Sequence, residues 1–155
     1  KTAPGLRFFD KKAVMLGGGD PHRFRLDDAV LIKDNHVRLV GSVREAVRKI
    51  RGRLSFVKKL EVEVRSVEEA IEAAEEGADI LLLDNMSVEE VKETIKALKS
   101  RNLYDKVLLE ASGRINFSNL LDYASTGVHV LSLGYLTHSV KALDMSLEIV
   151  EILSS

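Results

Sequence analysis

Short apolar runs alternate along this chain with stretches in which apolar residues recur every three or four positions. From residue 59 the rhythm is regular. Leu60-Glu61-Val62-Glu63-Val64 predicts a strand, and Val67 to Glu76 predicts an amphipathic helix striped by Ala70, Ile71, Ala73 and Ala74. Ser66 with Glu69 reads as a capping box at its start and Gly77 as its stop. Asp79 to Leu83 reads as a strand buried on both faces, because its apolar run is unbroken. Ser87 and Glu90 cap a second helix with Val91, Ile95 and Leu98 on one face. Strand Val107 to Ala111, a helix from about Phe117 to Ser125, strand His129 to Leu133 and a last helix through Ala142, Leu143, Ser146 and Leu147 continue the series. Upstream, Ala29 to Ile32 predicts a strand and Val43 to Arg51 a helix, capped by Ser42 and Glu45.

Strands that alternate with helices imply a parallel sheet with right-handed crossovers. The fold class is therefore α/β: a parallel α/β barrel, incomplete or open relative to an eight-unit barrel. The chain of 155 residues is read as one domain, 1–155, with a core of its own. A complete barrel typically needs about 250 residues.

Composition narrows the function classes. Net charge is −1 with 30% charged residues, so no basic field invites nucleic acid. The charges are mostly Lys, Arg and Glu, a composition often seen in heat-stable proteins. Cysteine is absent, which rules out disulfides and thiolate metal sites. No apolar run approaches the roughly 20 residues of a membrane span, and the first residues do not read as a signal peptide. The expectation is a cytoplasmic protein with neither membrane nor nucleic-acid partner. Its opening at Lys1-Thr2-Ala3-Pro4-Gly5, without an initiator Met, is what a fragment or a processed piece would have.

The candidate chemistry lies where strands end, since parallel barrels build their sites at the C-terminal ends of strands. In order, those ends are Lys33-Asp34-Asn35-His36, Glu63, Asp84-Asn85, Ser112-Gly113 and Gly134. Any one of them is ordinary strand-end polarity. As a set they put cations first, carboxylates in the middle and small residues last. Gly17-Gly18-Gly19 lacks dinucleotide or P-loop spacing and reads as a loop delivering His22 and Arg23, with His36 nearby. Arg23 and Lys33 then face an anionic substrate. Glu61 and Glu63 share one side of their strand, and Glu63 with Asp84 on the adjacent strand could hold Mg²⁺ or grip sugar hydroxyls. The turns after Ala111 and Leu133 are the small-residue kind that binds phosphate through backbone N–H groups. His129 reads as a plain strand residue.

Seven motifs together resemble the quinolinate phosphoribosyltransferase family, the carboxylating nicotinate-nucleotide pyrophosphorylases. They are Lys1-Thr2-x-Pro4-Gly5-Leu6-Arg7, Gly17-Gly18-Gly19-x-x-His22-Arg23, Leu31 to His36, Glu61 to Val64, Leu83-Asp84-Asn85-Met86, Glu110-Ala111-Ser112-Gly113 and Leu136-Thr137-His138-Ser139. The resemblance spans the chain in order. It implies transfer of phosphoribose from phosphoribosyl pyrophosphate to quinolinate with decarboxylation, giving nicotinate mononucleotide, pyrophosphate and carbon dioxide, with Mg²⁺ present. Carried over by position, it implies that His22, Arg23 and Lys33 bind the quinolinate carboxylates and that Lys1 faces the pyrophosphate side. It further implies that Glu63 and Asp84 hold the ribose hydroxyls and associated Mg²⁺, while Ser112, Gly113, Gly134 and His138 hold the 5′-phosphate. No residue is assigned as general acid or base.

The resemblance also implies an N-terminal α/β domain ahead of this barrel, absent from the chain, and at least a dimer in which a neighbour's N-terminal domain completes the pocket. An Arg precedes the position of Lys1 in the family, and Ser-Gly-Gly-Ile stands where this chain has Ser112-Gly113-Arg114-Ile115. A side chain at Arg114 either restricts the phosphate loop or adds a cation to it. Two other readings are a related phosphoribosyltransferase of the same fold acting on another aromatic acid, and a non-catalytic binding or assembly module. His22, Arg23 and Lys33 together favour a dicarboxylate over a monocarboxylate.

Overall fold

An apolar sheet face needs cover, and the chain meets that need with a single parallel sheet backed by helices on one side. The computed structural model describes residues 1–151. Its five strands are β1 (Val30–Ile32), β2 (Leu60–Val64), β3 (Ile80–Asp84), β4 (Leu108–Ser112) and β5 (Val130–Ser132), hydrogen-bonded in sequence order and all parallel. β1 and β5 do not pair with each other, so the sheet is open among the described residues, as the incomplete-barrel reading expects.

Register sorts the side chains. Residues paired across a parallel ladder point the same way, and neighbours along a strand alternate. Ile32 pairs with Val62, Val62 with Leu81 and Leu81 with Leu109, which puts these buried residues on one face. The other face carries Leu31, Glu61, Glu63, Leu82, Asp84, Glu110, Ser112 and Ser132. Apolar backing and polar front are thus divided by a period of two.

Against the apolar face lie α2 (Asp34–Val40), α3 (Val43–Arg51), α4 (Val67–Glu75) and α5 (Val88–Ser100), each packed on the next. Val43, Val47, Ala70, Ala73, Val91, Ile95 and Leu98 join Val62, Val64, Leu81, Leu83 and Leu109 in one core. The alanines of α4 let that central helix sit close to the sheet. Ser42, Ser66 and Ser87 each accept the amide hydrogen of the residue three further on, Glu45, Glu69 and Glu90, at 3.2 Å. Glu90 alone answers its own cap, taking the Ser87 amide at 2.7 Å, whereas Glu69 takes the Arg65 amide instead. Gly77, with φ +89°, occupies the left-handed turn that ends the α4 segment.

Four features differ from the sequence reading. α1 (Arg7–Leu16) and α7 (Tyr135–His138) are additional helices, and Lys33-Asp34-Asn35-His36 opens α2 rather than a loop. The helix expected from Phe117 is α6 (Leu120–Ala124), because the side chains of Asn116 and Asn119 bond the Ser118 and Asn116 amides and hold a turn before it. The helix expected through Ala142, Leu143, Ser146 and Leu147 is not formed. Leu143 and Leu147 stay exposed, and a short amphipathic helix with no surface against its stripe is marginal in water.

Candidate active site

The polar front of the sheet divides into three groups of side chains. The first is buried. Glu61 of β2 and Glu110 of β4 are 1% and 4% exposed, carboxylates that such burial permits only with partners. The loop after α1 brings them: His22 Nε2 lies 3.6 Å from Glu61 Oε1 and 3.4 Å from Glu110 Oε1, and Arg23 Nε lies 3.8 Å from Glu61 Oε2. Ser132 of β5 donates its hydroxyl to Glu110.

His22 sits at φ +55°, where Asp20 accepts its amide hydrogen and the ring Nδ1 accepts that of Arg23. The Arg23 contact opposes protonation of the ring. Two carboxylates outweigh one amide, and the nearby carboxylates of Glu110 first and Glu61 second raise the His22 pKa to about 9 against the effect of burial. Burial pushes the Glu110 carboxyl up, but His22 and Ser132 hold it below the usual range. The ligand atoms of His22, Glu61 and Glu110 lie within 4.8 Å of one another, a spacing a metal could use. A protonated imidazole beside Arg23 makes the cluster an ion-pair network instead. Arg23 Nε and Glu61 Oε1 have no hydrogen-bond partner among the described residues, and the Arg23 Nη groups form none either.

The second group lies at the ends of β1, β2 and β3. Lys33 Nζ is 3.6 Å from Glu63 Oε1. Arg65 bridges Asp84 and Asp34 at 3.2 Å each, tying β3 to the first turn of α2. Asn85 Nδ2 donates to Asp84 Oδ1 at 2.8 Å. His36 turns away from this group: its Nδ1 accepts the Lys33 amide hydrogen at 3.0 Å and caps α2.

The third group encloses a cavity of about 360 Å³ lined by Ser112, Gly113, Arg114, Ser132, Gly134 and His138 among others. Gly113 has φ +98°, and a Cβ there would stand 2.9 Å from the Asn85 backbone nitrogen, so only glycine lets the β3 and β4 ends approach. A Cβ at Gly134 would stand 2.6 Å from His138 Nε2. The roominess and small-residue walls suit a phosphate group.

Sequence-predicted residues therefore gather as follows. His22 and Arg23 meet each other, Lys33 meets Glu63, Asp84 stands beside them, and Ser112, Gly113, Gly134 and His138 share one cavity. Lys1 is exposed and has no hydrogen bond or ion pair with any of them among the described residues. Glu110, Arg65 and Ser132 were given no role by sequence reasoning, and Glu61 only a place beside Glu63 on one side of its strand. A glutamate within the apolar run of β4 was the available signal for Glu110, and the Glu-Val-Glu alternation the signal for Glu61. His129 is structural, its Nδ1 accepting the Leu109 amide hydrogen at 2.9 Å and its ring lying 5.1 Å from that of Tyr104.

The sequence matches the family model described as quinolinate phosphoribosyl transferase, C-terminal domain, over residues 1–148. It is 56% identical over 149 residues to a probable nicotinate-nucleotide pyrophosphorylase (carboxylating) of Methanothermobacter thermautotrophicus, covering 96% of this chain and 53% of that protein. The corresponding protein of Methanocaldococcus jannaschii is 53% identical, with 97% and 53% covered. The crystal structure of NadC from Streptococcus pyogenes superposes with a TM-score of 0.85 at 44% identity, covering 95% of this chain and 50% of that one. The chain spans about half the length of the curated relatives it matches.

Proposed function

The chain belongs to the quinolinate phosphoribosyl transferase family, in its C-terminal domain, and from that premise we propose that it carries the site that joins quinolinate to phosphoribosyl pyrophosphate with loss of carbon dioxide. The observation that carries this reading is the order of the three groups along one sheet face: cations His22, Arg23 and Lys33, then Glu63 and Asp84, then the Ser112–His138 cavity.

Each group matches a part of the reaction. A dicarboxylate loses much hydration on binding, and Arg23 with protonated His22 and Lys33 supplies charge-assisted donors to replace it. The ring nitrogen of quinolinate attacks the anomeric carbon as its bond to pyrophosphate breaks, through an oxocarbenium-like state. Glu63 and Asp84 lie where fixed negative charge favours that state and where ribose hydroxyls can donate. The cavity takes the 5′-phosphate. Decarboxylation needs no base, because the electron pair left on the ring carbon is stabilised by the adjacent positively charged nitrogen, and that carbon then takes a proton.

The reading includes Mg²⁺. Glu63 and Asp84 are partly exposed oxygen donors at adjacent strand ends, which fits an ion that binds one or two carboxylates together with substrate phosphates. When bound, Mg²⁺ supplies charge neutralisation of the departing pyrophosphate. Lys33 and Arg65 hold the two carboxylates apart from each other's charge until then.

The reading also includes a partner: the family's N-terminal domain, from its own and a neighbouring subunit of a dimer or larger oligomer. Support comes from α1, which has no buried residue and leaves Phe8, Phe9, Met15 and Leu16 exposed beside the loop that carries His22. Lys1 then reaches the pyrophosphate side only in the completed assembly. Cytoplasmic location belongs to the same reading, in line with the absence, among the described residues, of any helix long and apolar enough to cross a membrane.

The test is carbon dioxide release from carboxyl-labelled quinolinate by the chain combined with an N-terminal domain of the family. Release that requires phosphoribosyl pyrophosphate is the expected result. Release without the donor, or transfer to a different aromatic acid in preference, overturns it.

A further inference from the structure

Arg114 occupies a backbone conformation that its side chain does not favour. Its φ is +56°, in the left-handed region where a Cβ crowds the following carbonyl. The turn is held there by its own carbonyl, which accepts hydrogen bonds from Asn116 Nδ2 at 3.3 Å and Asn119 Nδ2 at 3.2 Å. The side chain contributes nothing to that bracing. The side chain is exposed and its guanidinium makes no hydrogen bond or ion pair among the described residues, as is true of Arg25 and Arg53, but Arg114 alone of the described arginines combines this with a left-handed backbone. A strained arginine with an idle head group lacks a structural reason to be arginine.

Its position supplies one. Arg114 lines the cavity of about 360 Å³ together with Ser112, Gly113, Ser132, Gly134 and His138. No carboxylate is among the lining residues, and the nearest buried acid on that side, Glu110, is engaged by Ser132 and His22. Positive charge at Arg114 is therefore not balanced from within the cavity. Hydroxyls and glycines alone would offer a doubly charged phosphate hydrogen bonds but little opposing charge, and His138 is the only other basic side chain in the lining. A planar guanidinium meets phosphate oxygens two at a time, which a hydroxyl does not.

We propose that Arg114 is a phosphate-binding residue of this cavity, closing its fork on the phosphate monoester of the phosphoribosyl group. The proposal rests on the phosphoribosyl reading given above and adds a ligand to it that the motif alone left undecided between obstruction and attraction. It makes this cavity selective for the dianionic phosphate over uncharged sugar, because the cation's contribution scales with the charge it faces.

Calorimetric titration of the chain with ribose 5-phosphate and with phosphoribosyl pyrophosphate tests it, using wild type, Arg114→Gly, Arg114→Met and Arg114→Lys. Loss of a charge-assisted hydrogen bond weakens ribose 5-phosphate about tenfold or more in the Gly and Met variants, and Lys restores part of it. Raising salt from about 50 to 200 mM then costs the Gly and Met variants less affinity than wild type. Arg114→Gly also raises the thermal midpoint by a few degrees, since glycine accepts the left-handed turn. Wild-type affinity in the Met variant overturns the proposal alone, and tighter binding in the Gly variant overturns it in favour of a side chain that obstructs the cavity. A wild-type chain that binds neither ligand overturns the phosphoribosyl reading and the proposal with it.

Discussion

Ser132 donates its hydroxyl to Glu110, and this one contact joins the cavity at the ends of β4 and β5 to the ion cluster around Glu61 and Glu110. Glu110 faces His22 from β4 while Ser132 lines the cavity from β5, so the ion cluster and the cavity share a hydrogen-bonded carboxylate.

Glu110→Gln is expected to destabilise the fold by about 1–3 kcal/mol at neutral pH, because it leaves His22 paired with Glu61 alone and removes the charge that holds the α1 loop to β4. Urea unfolding monitored by circular dichroism measures it. A variant as stable as wild type rules out a cluster held together by this carboxylate. Ser132→Ala removes only the neutral donor and is expected to lose about 1 kcal/mol or less.

The pH dependence follows from His22, which faces Glu61 on β2, Glu110 on β4 and its neighbour Arg23. Folding raises its pKa from 6.5 to about 9. Below 6.5 the ring is protonated in both folded and unfolded chains, and its ion pairs contribute in full. As pH rises towards about 9 that contribution shrinks, and above it the ring is neutral in both states. Stability measured from pH 6 to 10 should fall across this window in wild type and fall less in His22→Gln. An imidazole resonance that titrates near the ordinary histidine value would contradict the cluster geometry.

The alternation that puts Glu61 and Glu63 on one side of β2 was legible from strand periodicity, and so were the strand ends that carry Lys33, Glu63, Asp84, Ser112 and Gly134. The apolar runs of β3 and β4, by contrast, hid the division of the whole sheet into an apolar back and a polar front. Periodicity also located α3 to α5, whose serine caps stand where the sequence put them. What it could not supply was partnership. Glu110 in an apolar run resembles any tolerated polar residue until the α1 loop delivers His22 to it across 88 residues of sequence, from 22 to 110. Arg65 lies just past a strand and looks solvated until Asp34 and Asp84 flank it. The helix expected near Leu143 failed for the converse reason: its local pattern was sound, but a stripe needs a surface, and none covers it among the described residues.

Lys33→Ala separates the two substrates. Lys33 is half-exposed and pairs with Glu63 at 3.6 Å, a contact that solvent screens to little net stability. Its removal should leave the thermal midpoint nearly unchanged while weakening quinolinate about tenfold or more and phosphoribosyl pyrophosphate by only a few-fold. Calorimetry with each ligand singly gives both numbers. Equal losses would place Lys33 on the donor, acting through Glu63, rather than on the acceptor's carboxylate.

The two glycines that line the proposed phosphate cavity should respond differently to the same substitution. At Gly113, with φ +98°, a methyl group meets the Asn85 backbone nitrogen at 2.9 Å, and backbone cannot yield without separating β3 from β4. Strain and clash together should cost about 1–3 kcal/mol in Gly113→Ala and abolish measurable binding of ribose 5-phosphate. At Gly134 φ is −59°, which alanine accepts, and the obstacle is the imidazole of His138, the far end of a side chain that can swing aside. Gly134→Ala should therefore keep nearly wild-type stability and lose phosphate affinity through displaced His138. Gly134→Ala combined with His138→Ala would then bind no more weakly than His138→Ala alone, and a further loss in the double variant would mean that Gly134 serves the phosphate through its own backbone.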